Sequence, residues 1–94
     1  MKSLKVNLPL FIFKEGESFV AYTPVLDLSS SGKTPEQARK RFQEAVDIFF
    51  EETLKKNTLE HVLRDLGWKK IKQGWNPPRF ISHESKEISI PVPA

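Results

Sequence analysis

The apolar residues of this chain change period at one point, and that point constrains the fold more than anything else in the sequence. Before Thr34 they recur every second residue. After Pro35 they recur every three to four. Period two marks half-buried strands and a 3.6 period marks an amphipathic helix. Leu4, Val6, Leu8, Leu10 and Ile12 alternate with Lys5, Asn7 and Pro9, which predicts a first strand over 4–14, with Pro9 at an edge or bulge. Phe11 and Phe13 make its far end apolar on both faces. Lys14-Glu15-Gly16-Glu17 supplies a tight turn, and Ser18 to Tyr22 an antiparallel return strand that Pro24 ends. Val25 to Ser30 reads as a third short strand.

The helix that follows is announced by its own chemistry. In Gly32-Lys33-Thr34-Pro35-Glu36-Gln37, Thr34 is the N-cap, Pro35 sits at the first helical position and Gln37 completes a capping box. Ala38, Phe42, Ala45, Val46, Phe49 and Thr53 form its buried stripe, to about Lys56. Glu36/Lys40, Glu51/Lys55 and Glu52/Lys56 stand at favourable i,i+4 spacing. A second, shorter helix begins at an N-cap Thr58, buries Leu59, Val62, Leu63 and Leu66, and ends at Gly67 with Trp68 folded back on Leu63. Lys69 to Pro78 reads as a transition, because Gln73-Gly74 and Asn76-Pro77-Pro78 forbid a helix. Ile88, Ile90 and Val92 alternate again and predict a final edge strand over 87–92, beside Pro91 and Pro93. The expected fold is α+β: a three-stranded antiparallel meander with two helices on one face and a C-terminal strand. All of it forms one domain over 1–94, with a core at 1–67 and a basic loop and last strand at 68–94.

Composition narrows the function. The chain has no Cys, which removes disulfides, thiol nucleophiles and Cys-ligated zinc, and only two isolated histidines, His61 and His83. Its longest apolar run, Leu10 to Phe13, is too short for a membrane span, and the first residues lack the apolar centre of a signal peptide. A cytoplasmic protein is expected. The net charge of +3 lies entirely after Trp68, where Lys69, Lys70, Lys72, Arg79 and Lys86 face only Glu84 and Glu87. Such a segment suits phosphate or an acidic partner.

Little chemistry can be assembled from the remaining residues. Asp27-Leu-Ser-Ser-Ser-Gly-Lys-Thr ends like a phosphate-binding loop, but Asp27 stands where that loop needs Gly, and Pro35 makes Thr34 an N-cap instead. Glu15 and Glu17 flank a turn, Glu51 and Glu52 are adjacent, and Asp27 alone lies in an apolar stretch, too few for a two-metal site. Ser29, Ser30 and Ser31 have no partner His. Tyr22 and Trp75 are aromatics placed to anchor a partner or to pack the fold. Neither a catalytic nor a cofactor or metal site is expected.

The stretch from Gly16 to Tyr22, followed by Thr-Pro-Val-Leu-Asp-Leu-Ser-Ser-Ser-Gly-Lys-Thr-Pro-Glu-Gln-Ala, resembles the signature of the HicB antitoxin family, and Thr58-Leu-Glu-His-Val-Leu-Arg-Asp-Leu-Gly67 resembles that family's second helix. The likeness spans Leu4 to about Trp68. It implies a partial ribonuclease-H-like fold without nuclease chemistry. The implied role is a non-catalytic antitoxin that masks a small HicA-like mRNA-cleaving toxin. A homo-oligomer (dimer or tetramer) is expected, the last strand pairing with a sheet edge in its own chain or in a neighbour's. The segment after Trp68 is too short for a helical DNA-binding domain, so the resemblance is to the family's short form. Tyr22, Pro24, Asp27 and Trp75 are the expected toxin-binding residues. The alternative is a nucleic-acid-binding or regulatory module acting through the basic C-terminal segment.

Overall fold

The computed structural model describes residues 4–93; Met1–Ser3 and Ala94, which the expected domain bounds include, lie outside the described residues. The fold is α+β. Strands β1 (Phe11–Glu15), β2 (Ser18–Thr23) and β3 (Leu28–Gly32) form an antiparallel sheet in the order β1-β2-β3. Helices α1 (Pro35–Lys55) and α2 (Leu59–Asp65) follow, then a two-stranded hairpin, β4 (Lys69–Ile71) and β5 (Gly74–Asn76). No helix among the described residues is long and apolar enough to cross a membrane.

The β1–β2 turn is closed by Gly16 at φ +62°, a left-handed conformation that glycine adopts without a Cβ penalty. Register sets the two faces of the sheet. Ile12, Ala21 and Ser30 lie across from one another on the side that α1 covers, and Ala21, Ala38 and Phe42 form a buried cluster with Ile12, Phe19, Leu28 and Val46 around it. α1 starts as its sequence dictates: the Gln37 N–H donates to Thr34 Oγ1 at 3.0 Å. Gln37 reaches back one residue further than a capping box does, its Oε1 accepting from the Lys33 N–H at 2.7 Å. Of the three expected ion pairs, Lys56 and Glu52 meet at 3.7 Å across exposed side chains, a contact worth little.

A second cluster lies at the end of the sheet, where Val25, Leu26, Leu63 and Trp68 are buried against Leu8, Val46, Phe49, Leu59, Leu66 and Trp75. α2 supplies Leu63 to it and packs against α1 and β4. Of the two expected helices, α1 makes the main cover of β2 and β3, while α2 lies at the end of the sheet and meets Leu28 of β3 through the Leu63 cluster. The C-terminus of α2 is a Schellman motif, with Trp68 N–H donating to Leu63 O at 2.9 Å, Gly67 N–H to Arg64 O at 3.0 Å, and Gly67 at φ +90°. Thr58 makes no side-chain cap; its hydroxyl turns to the Thr53 carbonyl instead.

Four strand expectations change. Residues 4–10 form no strand, because no neighbouring strand pairs with them; Leu8 packs on the core and Leu4 sits over Gly74. The third strand begins at Leu28, three residues later than its apolar start suggests, since Val25 and Leu26 belong to a turn. The stretch from Lys69 to Pro78 contains the β4–β5 hairpin. Residues 87–92 carry no strand: residues 77–93 are irregular, and Ile88, Ile90 and Val92 stand in solvent.

Candidate functional site

The site begins in the turn between β2 and β3. Pro24 ends β2, and the Asp27 N–H closes the turn on the Pro24 carbonyl at 3.3 Å. Val25 and Leu26 point into the core, and the buried Trp68 fixes them there: its Nε1–H donates to the Val25 carbonyl at 2.7 Å. With its two neighbours held inward, Asp27 is turned outward at φ +48°, a left-handed conformation that Asp tolerates better than most residues. Its carboxylate accepts a hydrogen bond from the Tyr22 hydroxyl at 3.1 Å. That bond, aided by slight desolvation and the charge of Asp27, raises the Tyr22 pKa above the usual phenol value. Tyr22, Pro24 and Asp27, all nominated from the sequence, thus come together at one rim of the sheet.

Register extends this rim into a surface. Phe11, Tyr22 and Ser29 lie in one row, and Phe13, Val20 and Ser31 in the next, on the face opposite α1. Phe13 is 45% exposed. Phe11 is touched by the returning chain, its ring 6.2 Å from Phe80 and 6.4 Å from His83. The sequence signal for this surface was the parity of Phe11 and Phe13, out of phase with Ile12, although neither had been nominated.

Trp75 lies elsewhere, in β5, and reaches the rim only through the core cluster. Arg64 and Lys70 each place their charge 6.0 Å from the centre of its ring. Glu60 accepts from Arg64 at 2.8 Å and lies 3.5 Å from Lys70 Nζ, and these two cations lower its pKa. A cleft of about 340 Å³ opens here between Thr53, Leu54, Asn57, Glu60 and Trp75. This charged setting was invisible from the sequence because the β4–β5 hairpin that creates it was not expected. A larger cleft of about 680 Å³ lies between the N-terminal segment and the chain after β5, lined by Asn7, Pro9, Lys69, Asn76, Arg79 and Phe80.

The loop with phosphate-binding character is a helix cap. Thr34 is extended at φ −137°, and the N–H groups of Lys33 and Gln37 are taken up by the cap itself. His61 pairs with Asp65 on the outside of α2 at 3.2 Å. Among the described residues, no three His, Asp or Glu side chains gather where they could hold a metal ion. What the rim offers is recognition chemistry: exposed aromatic rings, a hydroxyl and a carboxylate on a rigid sheet. No protein-family model, curated protein or solved structure matches this chain.

Proposed function

We propose that this protein is a non-catalytic antitoxin of the HicB type, with a partial ribonuclease-H-like fold. In this reading it acts in the cytoplasm by binding and masking a small HicA-like mRNA-cleaving toxin. The observation that carries the reading is the sheet face left bare by α1, with Phe13 exposed, Val20 and Tyr22 half-buried beside it, and the Tyr22–Asp27 pair at its rim. Binding interfaces draw most of their energy from a few such aromatic anchors, about 2 kcal/mol or more each. Asp27 spends one oxygen on Tyr22 and keeps the other for a Lys or Arg of a basic partner. The alternative, nucleic-acid binding by the basic C-terminal segment, has in its favour the Trp75 ring with Arg64 and Lys70 each 6.0 Å from its centre.

Co-expression with a HicA-like toxin tests the reading. The wild type restores growth and co-purifies with the toxin. Tyr22→Ala combined with Asp27→Lys folds normally, loses co-purification and fails to restore growth. Full rescue by the folded double variant refutes the proposed interface, and RNA or DNA binding that weakens steeply with salt, without toxin binding, favours the alternative.

A further inference from the structure

The last ten described residues carry a strand pattern with no strand to join. Ile88, Ile90 and Val92 alternate with Glu87, Ser89 and Pro91, and are 71%, 73% and 82% exposed. Residues 79–93 are exposed throughout, and the molecule is 58 Å long against 29 and 22 Å across. Its radius of gyration is 16.4 Å, where a compact chain of this length has about 12 Å. After Pro78 the chain holds no Gly, Asn or Asp, and its next Pro is Pro91. Ser82, Ser85 and Ser89 are weaker turn formers, and residues 77–93 carry no turn or bend, so the segment runs on rather than back. Extended, residues 84–93 span roughly 33 Å.

The prolines make this a one-sided strand. Pro91 and Pro93 are two apart, so both missing N–H groups fall on the same edge, together with Ser89. The other edge presents the N–H and C=O groups of Ile88, Ile90 and Val92.

The sheet has a matching vacancy. Its order β1-β2-β3 leaves two outer edges. That of β3 is engaged: Arg41 Nη1 donates to the Ser31 carbonyl at 3.1 Å. That of β1 is open. Gly16 at φ +62° heads a two-residue turn that closes on Glu15 and Ser18 as a hydrogen-bonded pair. Bonded pairs alternate along an antiparallel ladder, so Phe11 and Phe13 also bond to β2, while the backbone groups of Ile12 and Lys14 face outward. In an antiparallel addition, Ile88, Ile90 and Val92 would bond to that edge and lie on the same face as Ile12. This is the side where Ile12 already packs on the Ala21–Ala38–Phe42 cluster.

We infer that residues 87–92 form a fourth strand on the open β1 edge of a second copy of this chain, in a reciprocal exchange that makes a closed two-fold dimer. The occupant is a second copy because the chain touches its own sheet only as far as His83, beside Phe11, and residues 84–93 then run on without a turn, their apolar side chains in solvent. The proline edge then faces solvent and stops further strand addition. This inference is independent of the toxin reading, since it uses neither the open sheet face nor the Tyr22–Asp27 rim.

Analytical ultracentrifugation on the full chain tests it. The wild type sediments at micromolar concentration with twice the chain mass of 10.8 kDa. Deleting Glu84–Ala94 gives a folded monomer with unchanged helix content. Two point variants then separate a paired strand from a sticky tail. Ile88→Pro removes an N–H from the pairing edge. The dimer holds two tails, so a loss of about tenfold per site becomes about a hundredfold in the dissociation constant. Ser89→Pro adds a third proline to the solvent edge and leaves the dimer intact. A monomeric wild type, a dimer that survives the deletion, or equal disruption by the two proline variants overturns the inference.

Discussion

Replacing Trp68 by Phe isolates the contact that positions the candidate rim. The indole is 5% exposed and its Nε1–H donates to the Val25 carbonyl at 2.7 Å. Phe keeps the ring packing but cannot donate, so the Val25 carbonyl is left buried and unpaired, at about 1–3 kcal/mol. The smaller ring leaves roughly 40 Å³ unfilled, about 1 kcal/mol more at the usual cost per unit of cavity. The sum is about 2–4 kcal/mol, a large share of the roughly 5–15 kcal/mol that holds a small domain together. The expected fall in Tm is roughly 10–25 °C. Urea unfolding followed by far-UV circular dichroism measures the loss, and an unchanged denaturant slope shows that the same surface unfolds. Val25 is two residues from Asp27, so the same variant frees the turn and weakens the Tyr22–Asp27 bond. A loss below about 1 kcal/mol would refute the reasoning, because it would mean the carbonyl finds water or another donor without effort.

Two further outcomes follow from single contacts. Gly32→Ala places a Cβ 2.7 Å from the Ala38 nitrogen and 2.9 Å from the Gln37 carbonyl carbon, both backbone atoms at the start of α1; thermal melting should show a loss of about 1–3 kcal/mol, and an unaltered melt would mean that β3 and α1 separate freely. The Tyr22 phenol has its pKa raised by donating to Asp27, so this bond contributes stability at neutral pH that disappears as pH rises through the folded-state value; in Asp27→Ala the ultraviolet titration midpoint should move down toward that of an ordinary phenol, and an unmoved midpoint would show that the bond does not form in solution.

Features encoded within a few residues were legible in the sequence, and those that depend on distant partners were not. Thr34, Pro35 and Gln37 mark the start of α1 because cap and capped N–H lie three residues apart. Gly67 and Trp68 mark the end of α2 for the same reason. Val25 and Leu26 misled: an apolar pair beside Leu28 reads as strand, yet both are turn residues drawn inward by Trp68, more than forty positions away. β4 and β5 are three residues each, too short to leave a periodic signal. Tyr22 and Asp27 were legible as candidates and their pairing was within reach, being five residues apart. The charged cluster beside Trp75 draws Glu60 and Arg64 from α2 and Lys70 from β4, and only the folded hairpin brings them to it.

In the proposed antitoxin reading, the β2–β3 turn joins stability to recognition. Its two central residues face inward and are held by the most buried indole in the chain, while its last residue faces outward and holds the hydroxyl of an aromatic on the open sheet. An exposed tyrosine on a flexible loop would surrender about 0.5–1.5 kcal/mol of side-chain freedom when a partner fixed it. Here the strand fixes the Tyr22 backbone and Asp27 fixes its hydroxyl before any partner arrives. The strain of a left-handed Asp27, of order 1 kcal/mol, is met by burial of Val25 and Leu26, so the fold itself maintains the recognition geometry. A surface built this way gains little from induced fit. Its affinity should therefore be lost mainly through faster dissociation when Tyr22 or Asp27 is replaced, with the association rate governed by the charge of Asp27 and its surroundings.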